Sequence, residues 1–153
     1  RIMPSHAKKV QPYRDRIPLL HRYQIDDQLD TMYNPEVTLP SGGYIVINPT
    51  EALVAIDVNS GKSTKGRSIE ETATRTNLEA AEEVARQLRL RGLGGQITMD
   101  VAPMPKKDRR QFEDALRRAF RADGTDTVLA GWTPLGLYEL QRKRDRWPLT
   151  ALI

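Results

Sequence analysis

Asp57 and Asn59 stand two residues apart in the run AIDVNSGKSTKG (residues 55–66), and Asp100 closes a second apolar run, QITMD (residues 96–100). Two carboxylates and an amide oxygen, with no histidine or cysteine nearby, make a hard oxygen donor set. Magnesium suits such a set, because it takes one or two carboxylates and keeps several waters that a phosphate can displace. Held there, it polarises a phosphoryl oxygen and lowers the pKa of an attacking water. The plainer alternative is that each aspartate only caps a strand end or makes a turn. The GKST in the same run invites a P-loop reading, but a P-loop needs a glycine five residues before Gly61. Ile56 stands there, so that reading fails on spacing. Lys62, Lys65 and Arg67 follow in a polar loop and are candidates to hold phosphates beside the metal, or simply form a solvated basic loop. His6 and His21 are the only histidines and both lie outside this stretch, so a histidine-based triad has no support.

The elements that would bring Asp57 and Asp100 together can be read from periodicity. Residues 1–16 lack it and read as irregular, and residues 17–33 have helical spacing that Asn34-Pro35 stops. Residues 37–39, 44–47 and 52–58 read as a three-strand meander, with turns at PSGG and at Asn48-Pro49-Thr50. From Ser68 the period becomes helical, and Glu71 three residues later suggests a capping box. Ile69, Ala73, Ala80, Ala81, Val84, Ala85 and Leu88 form an apolar stripe, with Glu71–Arg75 and Glu82–Arg86 as expected surface pairs. Asn77 falls on the stripe and reads as a hydrogen-bonded structural residue. Gly92, Gly94 and Gly95 end the helix, and residues 96–101 resume as a strand. A second helix is expected over about 106–121, a short strand over 127–130, and a helical tail from Leu135.

Strand, long helix, strand is a crossover unit whose two strands are normally parallel and whose connection is right-handed. Ligands of open α/β sheets gather outside the carboxyl ends of the strands, where both aspartates lie. If the strands are neighbours, the two carboxylates lie within a few ångströms of each other, and strand alternation puts Asn59 on the face of Asp57. The expected fold is therefore α/β: a mixed sheet with an N-terminal strand meander and a right-handed βαβ unit carrying the metal site.

The 153 residues suffice for one domain, or one domain with pieces of a second. No apolar run approaches the ~18 residues of a membrane span. The chain opens on Arg1 with no signal-peptide pattern, which reads as a mature fragment or a piece of something longer. Without cysteine there are no disulfides or thiolate metal sites, in keeping with a reducing compartment. A formal charge of +4 favours a polyanionic partner. Residues 106–121 hold seven basic and three acidic residues, and residues 142–146 hold four basic and one acidic. A basic helix face is often only solvated, but two such clusters flanking the candidate site point toward nucleic acid, with Lys106 and Lys107 as candidate contacts.

The run LPSGGYIVINPTEALVAIDVNSGKSTKG, followed by SIEETATRTNLEAAEEVARQLRLRGLGG, resembles the nuclease core of the bacterial ribonuclease E/G family over about residues 18–144. The resemblance implies the deoxyribonuclease-I-like subdomain of a single-strand-specific endoribonuclease over residues 33–153. Residues 1–32 would be the end of a preceding ribonuclease-H-like subdomain or an irregular arm. It places the family's two magnesium aspartates on Asp57 and Asp100 and its accompanying asparagine on Asn59. It further implies magnesium as cofactor with manganese able to substitute, and single-stranded RNA as partner. Products with 5′-phosphate and 3′-hydroxyl ends, a homo-oligomeric full-length protein and a bacterial cytoplasmic setting follow from it too. The family's zinc link has no ligands in this span. One departure matters: where the family has Asp-Phe-Ile-Asp-Met, residues 100–104 read DVAPM, so Pro103 replaces a second carboxylate. Proline stiffens the exit from the strand. The expectation is a single metal ion and a divergent site. An RNA-binding or scaffolding module with decayed catalysis is the competing reading.

Overall fold

The computed structural model describes residues 3–61, 68–144 and 147–148. Two units are distinguished, Arg1–Tyr33 and Asn34–Ile153.

In the first unit a 3-10 turn occupies Pro4–Lys9, where irregular chain is expected, and two short helices follow, α1 (Leu19–Arg22) and α2 (Ile25–Thr31). The single helix expected over 17–33 is interrupted at Gln24, which takes a left-handed conformation with φ of 56°. The helical spacing there has no buried face behind it, for Leu20, Tyr23 and Ile25 are all exposed. Short helices without a packed stripe do not propagate. His21 Nδ1 and Asp26 Oδ2 meet across the break at 3.1 Å, and this hydrogen bond lowers the Asp26 carboxyl below its ordinary pKa.

The second unit is built on six strands: β1 (Glu36–Thr38), β2 (Tyr44–Pro49), β3 (Val54–Asn59), β4 (Gly95–Asp100), β5 (Thr127–Trp132) and β6 (Tyr138–Arg142). Their order across the sheet is β1-β2-β3-β4-β6-β5. The first three form the expected antiparallel meander, and β3 pairs with β4 in parallel. β2 runs on through Asn48 and Pro49, so the turn falls later than expected, where the Thr50 amide donates to Leu53 O at 2.8 Å. Along β3, Val54, Ile56 and Val58 are buried while Asp57 is exposed; along β4, Ile97 and Met99 are buried while Asp100 is exposed. The buried set joins residues of α3 (Ile69–Arg91) and α4 (Arg109–Arg121) in one core. Strand alternation therefore places both aspartates on the face turned away from that helix-packed core.

Helix α3 starts and stops for local reasons. Ser68 Oγ accepts from the Glu71 amide at 3.1 Å. At the far end Gly92, with φ of 66°, lets the Leu93 amide reach Leu88 O at 2.9 Å and the Gly92 amide approach Arg89 O, a Schellman ending. The apolar stripe is buried from Ala73 to Leu88, but Ile69 is 79% exposed because it sits in the first turn, ahead of the buried stripe. The surface pairs also differ from those expected, being Arg75–Glu79 and Arg86–Glu83. The second helix begins as a 3-10 turn at Lys106–Asp108 and becomes α-helical only at Arg109.

The helical tail expected from Leu135 is instead strand β6, which forms a hairpin with β5, the strand expected over 127–130. Tyr138, Leu140 and Arg142 are buried in alternation with exposed Glu139 and Gln141, a period of two that a charged residue on the buried face disguises. Arg142 donates through Nε and Nη2 to the Asp123 carboxylate at 2.7 and 3.1 Å, and through Nη1 to Leu93 O at 2.9 Å. Both partners are almost wholly buried. Arg142 is therefore an internal strut and is withdrawn from the basic surface segment of 142–146; Lys143 and Arg144 remain exposed, and Arg146 lies outside the described residues.

Phe112, Trp132 and Tyr138 pack as a cluster with ring centroids 5.1–5.7 Å apart. Trp132 Nε1 donates to Glu113 Oε1 at 2.8 Å. The Tyr138 hydroxyl is the one buried side-chain polar atom without a hydrogen-bond partner among the described residues. Burial first, and then the nearby charge of Glu113, push its pKa up to about 12. A phenol whose pKa is raised on folding contributes stability that is intact below its unfolded value near 10 and is lost as pH rises through the folded value. Tyr138→Phe is thus expected to leave stability at neutral pH unchanged or raised by up to about 1 kcal/mol, since it removes an unpaired hydroxyl. It should also flatten the alkaline loss of stability between pH 10 and 12. Urea unfolding of wild type and variant at pH 7, 10 and 11.5 checks this; an equal alkaline decline in both would remove Tyr138 as its source.

Candidate functional site

The register of the parallel pair makes Asp57 and Asp100 direct partners across β3 and β4. Neighbouring strands lie about 4.8 Å apart, so two exposed carboxylates of the same face stand side by side. Asn59, on the same face, donates from Nδ2 to Asp57 Oδ2 at 3.2 Å, which leaves its own Oδ1 as an acceptor. The geometry thus brings together Asp57, Asn59 and Asp100. Like charges directly across a strand pair oppose folding, and a bound cation offsets that repulsion. Among the described residues no three His, Cys, Asp or Glu side chains cluster for a metal. A cation held here would find two protein carboxylates and would need water or other oxygen ligands to complete its shell. That donor set fits magnesium, which dehydrates reluctantly and needs few protein ligands.

The site is held from behind. Asn77 on α3 is fully buried, and its amide makes two hydrogen bonds with the main chain of one residue: Nδ2 donates to Ala102 O at 2.8 Å, and Oδ1 accepts from the Ala102 amide at 2.9 Å. Ala102 lies two residues beyond Asp100, at the point where β4 has run out of strand partners. The structural role expected of Asn77 is confirmed, and its position shows what that role is. In the turn just ahead of β2, Gly43 is buried against the end of β3. A Cβ there would lie 2.6 Å from Asn59 O and 2.8 Å from Thr76 Cγ2, so only glycine allows the approach. Ser41 ties the same turn to α3, its amide and hydroxyl donating to Glu79 Oε2 at 3.1 and 2.8 Å.

Other candidates are not gathered into this cluster. Lys106 and Lys107 are exposed in the 3-10 turn before α4, and among the described residues no hydrogen bond or ion pair joins them to either aspartate. Lys62, Lys65 and Arg67 lie outside the described residues. Pro103 is exposed in an irregular exit from β4 that carries no carboxylate between Asp100 and Asp108. Two residues escape the linear reading. Tyr44 is the direct antiparallel partner of Asn59. Glu139 is paired with Thr98 and exposed on the face of Asp100, one step along β4. Period-two alternation over residues 138–142 was the available signal for Glu139; nothing local marks Tyr44.

A mixed sheet whose parallel strands carry paired carboxylates at their carboxyl ends, packed on one face by helices, defines an α/β protein. The profile of the ribonuclease E/G family matches residues 1–145, and the chain belongs to that family. It is 49% identical over 142 residues to ribonuclease E of Escherichia coli strain K12, covering 92% of this chain and 13% of that protein. Ribonuclease E of Nostoc sp. is 46% identical over 137 residues, covering 89% of this chain and 20% of the relative. Ribonuclease G of E. coli is 37% identical over 145 residues, covering 94% and 30% respectively. The chain therefore spans less than a third of the length of each of these relatives.

Loss of the Asn77 amide would leave the buried main-chain N–H and C=O of Ala102 unpaired. Each buried unpaired group costs about 1–3 kcal/mol. Asn77→Ala is accordingly expected to lower stability by about 2–4 kcal/mol in urea unfolding, with a shifted midpoint and an unchanged slope. A loss below about 0.5 kcal/mol would mean that water replaces the amide and that the clamp does not hold the end of β4.

Proposed function

We propose that this chain is the catalytic core of a magnesium-dependent endoribonuclease that cleaves single-stranded RNA, leaving 5′-phosphate and 3′-hydroxyl ends. The observation that carries the reading is the side-by-side register of Asp57 and Asp100 at the carboxyl ends of two parallel strands, in a member of the ribonuclease E/G family. Asp57 and Asp100 would hold magnesium, or manganese in its place, which when bound supplies a Lewis acid for a phosphoryl oxygen and a more acidic water. The remaining work falls to the chain itself. Asn59 keeps one oxygen of Asp57 engaged and so restricts the rotation of that carboxylate. Asn77 holds the Ala102 main chain and thereby the end of the strand that carries Asp100. Lys106 and Lys107 would meet RNA phosphates, and Lys62, Lys65 and Arg67, which lie outside the described residues, are assigned the same role from the sequence. No described helix is long and apolar enough to cross a membrane, and the proposed setting is the bacterial cytoplasm.

A second reading, an RNA-binding or scaffolding module without catalysis, has one feature in its favour. The stretch after Asp100 presents Pro103 where the family pattern has a carboxylate. The two readings part on a single experiment with the intact protein. Asp57→Asn and Asp100→Asn keep shape but remove the charge that holds a hard cation. Each is expected to lower magnesium-dependent cleavage of a labelled single-stranded RNA by at least about a thousandfold, with the unfolding midpoint unchanged or higher. Wild-type protein that binds the RNA but never cuts it would establish the scaffold reading. Full activity in either variant would remove that aspartate from the mechanism.

A further inference from the structure

A groove of about 440 Å³ opens at the end of the carboxylate pair, lined by Tyr44, Val58, Asn59, Ser60, Ala102 and Pro103 together with backbone of Gly42 and Gly61. Its size falls in the range of small-ligand sites. Its place is set by two chain connections: Asn59 is hydrogen-bonded to Asp57, and Ala102 follows Asp100 by two residues. Whatever occupies the groove therefore adjoins a phosphate held at the aspartates.

Among the described residues the lining offers an aromatic ring and hydroxyls rather than cationic side chains, a chemistry suited to a base. No lysine or arginine lines the groove among the described residues. Pro103 supplies exposed apolar surface, and Tyr44 supplies an aromatic ring that is only half-buried, while Val58 and Ala102 close the groove from the core side. The Tyr44 hydroxyl and the Ser60 hydroxyl have no hydrogen-bond partner among the described residues, and Asn59 Oδ1 is also open. A mostly apolar cleft with a few convergent polar groups is the usual form of a ligand pocket. Gly42, with φ of +96°, leaves the space above it clear within 4 Å. Unstacked bases of single strands are characteristically received on aromatic side chains beside the backbone track.

We infer that this groove is a base-binding subsite for the nucleotide adjoining the scissile phosphate, with Tyr44 as its stacking surface. The inference rests on the endoribonuclease reading for its substrate. It also gives Pro103 a role: an uncharged residue at that position removes a carboxylate from the wall of a groove that must desolvate a base. Hydroxyls that both donate and accept can meet any base edge, so the subsite favours occupancy by a base over strict sequence selection.

The test uses the intact protein and two readouts. First, Asp57→Asn is combined with single-stranded oligonucleotides carrying 2-aminopurine at each position flanking the cleavage site. Quenching of the fluorescence on binding is expected at one position. Tyr44→Ala is expected to abolish it and Tyr44→Phe to retain it. Second, in the cleaving protein, Tyr44→Ala is expected to lower kcat/KM by roughly tenfold to a hundredfold. An abasic nucleotide at that same position should cost the wild type the same factor, and both changes together should cost no more than either. Tyr44→Leu, which keeps an apolar residue on β2, should behave as Tyr44→Ala. Absence of quenching at every position, or equal losses for Tyr44→Ala on normal and abasic RNA, would overturn the subsite. The fluorescence reports binding without cleavage, so a wild type that never cuts RNA would overturn the endoribonuclease reading while the quenching still decides the groove.

Discussion

The buried amide of Asn77 is the contact on which the active end of this sheet depends. Beyond Asp100 the strand β4 has no further partner: its pairing with β3 ends at Asp57–Asp100 and its pairing with β6 ends at Met99–Tyr138. A strand left there would fray, because the buried N–H and C=O of Ala102 would be left unbonded. The Asn77 side chain offers that residue a donor and an acceptor in the arrangement of a neighbouring strand. The long helix thereby extends the sheet by one residue pair, and the position of Asp100 becomes a property of the core.

The opposite end of β4 is pinned by a comparable device. Arg142 on β6 reaches Leu93 O, just ahead of β4, while its other nitrogens hold Asp123. Such a pair adds little net stability once its desolvation is counted, yet losing either partner leaves a buried charge. Its value lies in specifying where the hairpin docks. Between Arg142 and Asn77 the strand that carries Asp100 is held at both ends. The other strand of the site is set by contact: the approach of Gly43 to the Asn59 carbonyl leaves no room for a side chain.

The helices cover one face of the sheet, and the consequence is electrostatic as well as structural. Carboxylates on the covered face would have to be desolvated. On the open face Asp57, Asp100 and Glu139 remain solvated. A basic chain with an acidic patch on one sheet face suits a polyanionic partner only if a divalent cation mediates the contact, which is the role the paired aspartates are proposed to fill.

Much of this was legible in the linear chain. The period-two runs placed β3 and β4, the capping serine and the glycines bounded the long helix, and the strand–helix–strand order implied the parallel pairing. Asn77 could be recognised as a buried polar residue because it interrupts an apolar stripe. Each of these is a local pattern, written within a turn or two of chain. What the chain could not show depends on groups far apart in sequence. Arg142 read as a surface cation because its partner Asp123 lies nineteen residues away, and one charged residue on the buried face made a strand look like a helical tail. The residue that Asn77 binds lies 25 residues beyond it, and Tyr44 meets Asn59 only through the register of two antiparallel strands. The residue types and their spacing determined which atoms could do chemistry. Tertiary structure alone decided which of them share a face, because side-chain direction follows from strand register, and register is set by packing of the whole sheet against its helices.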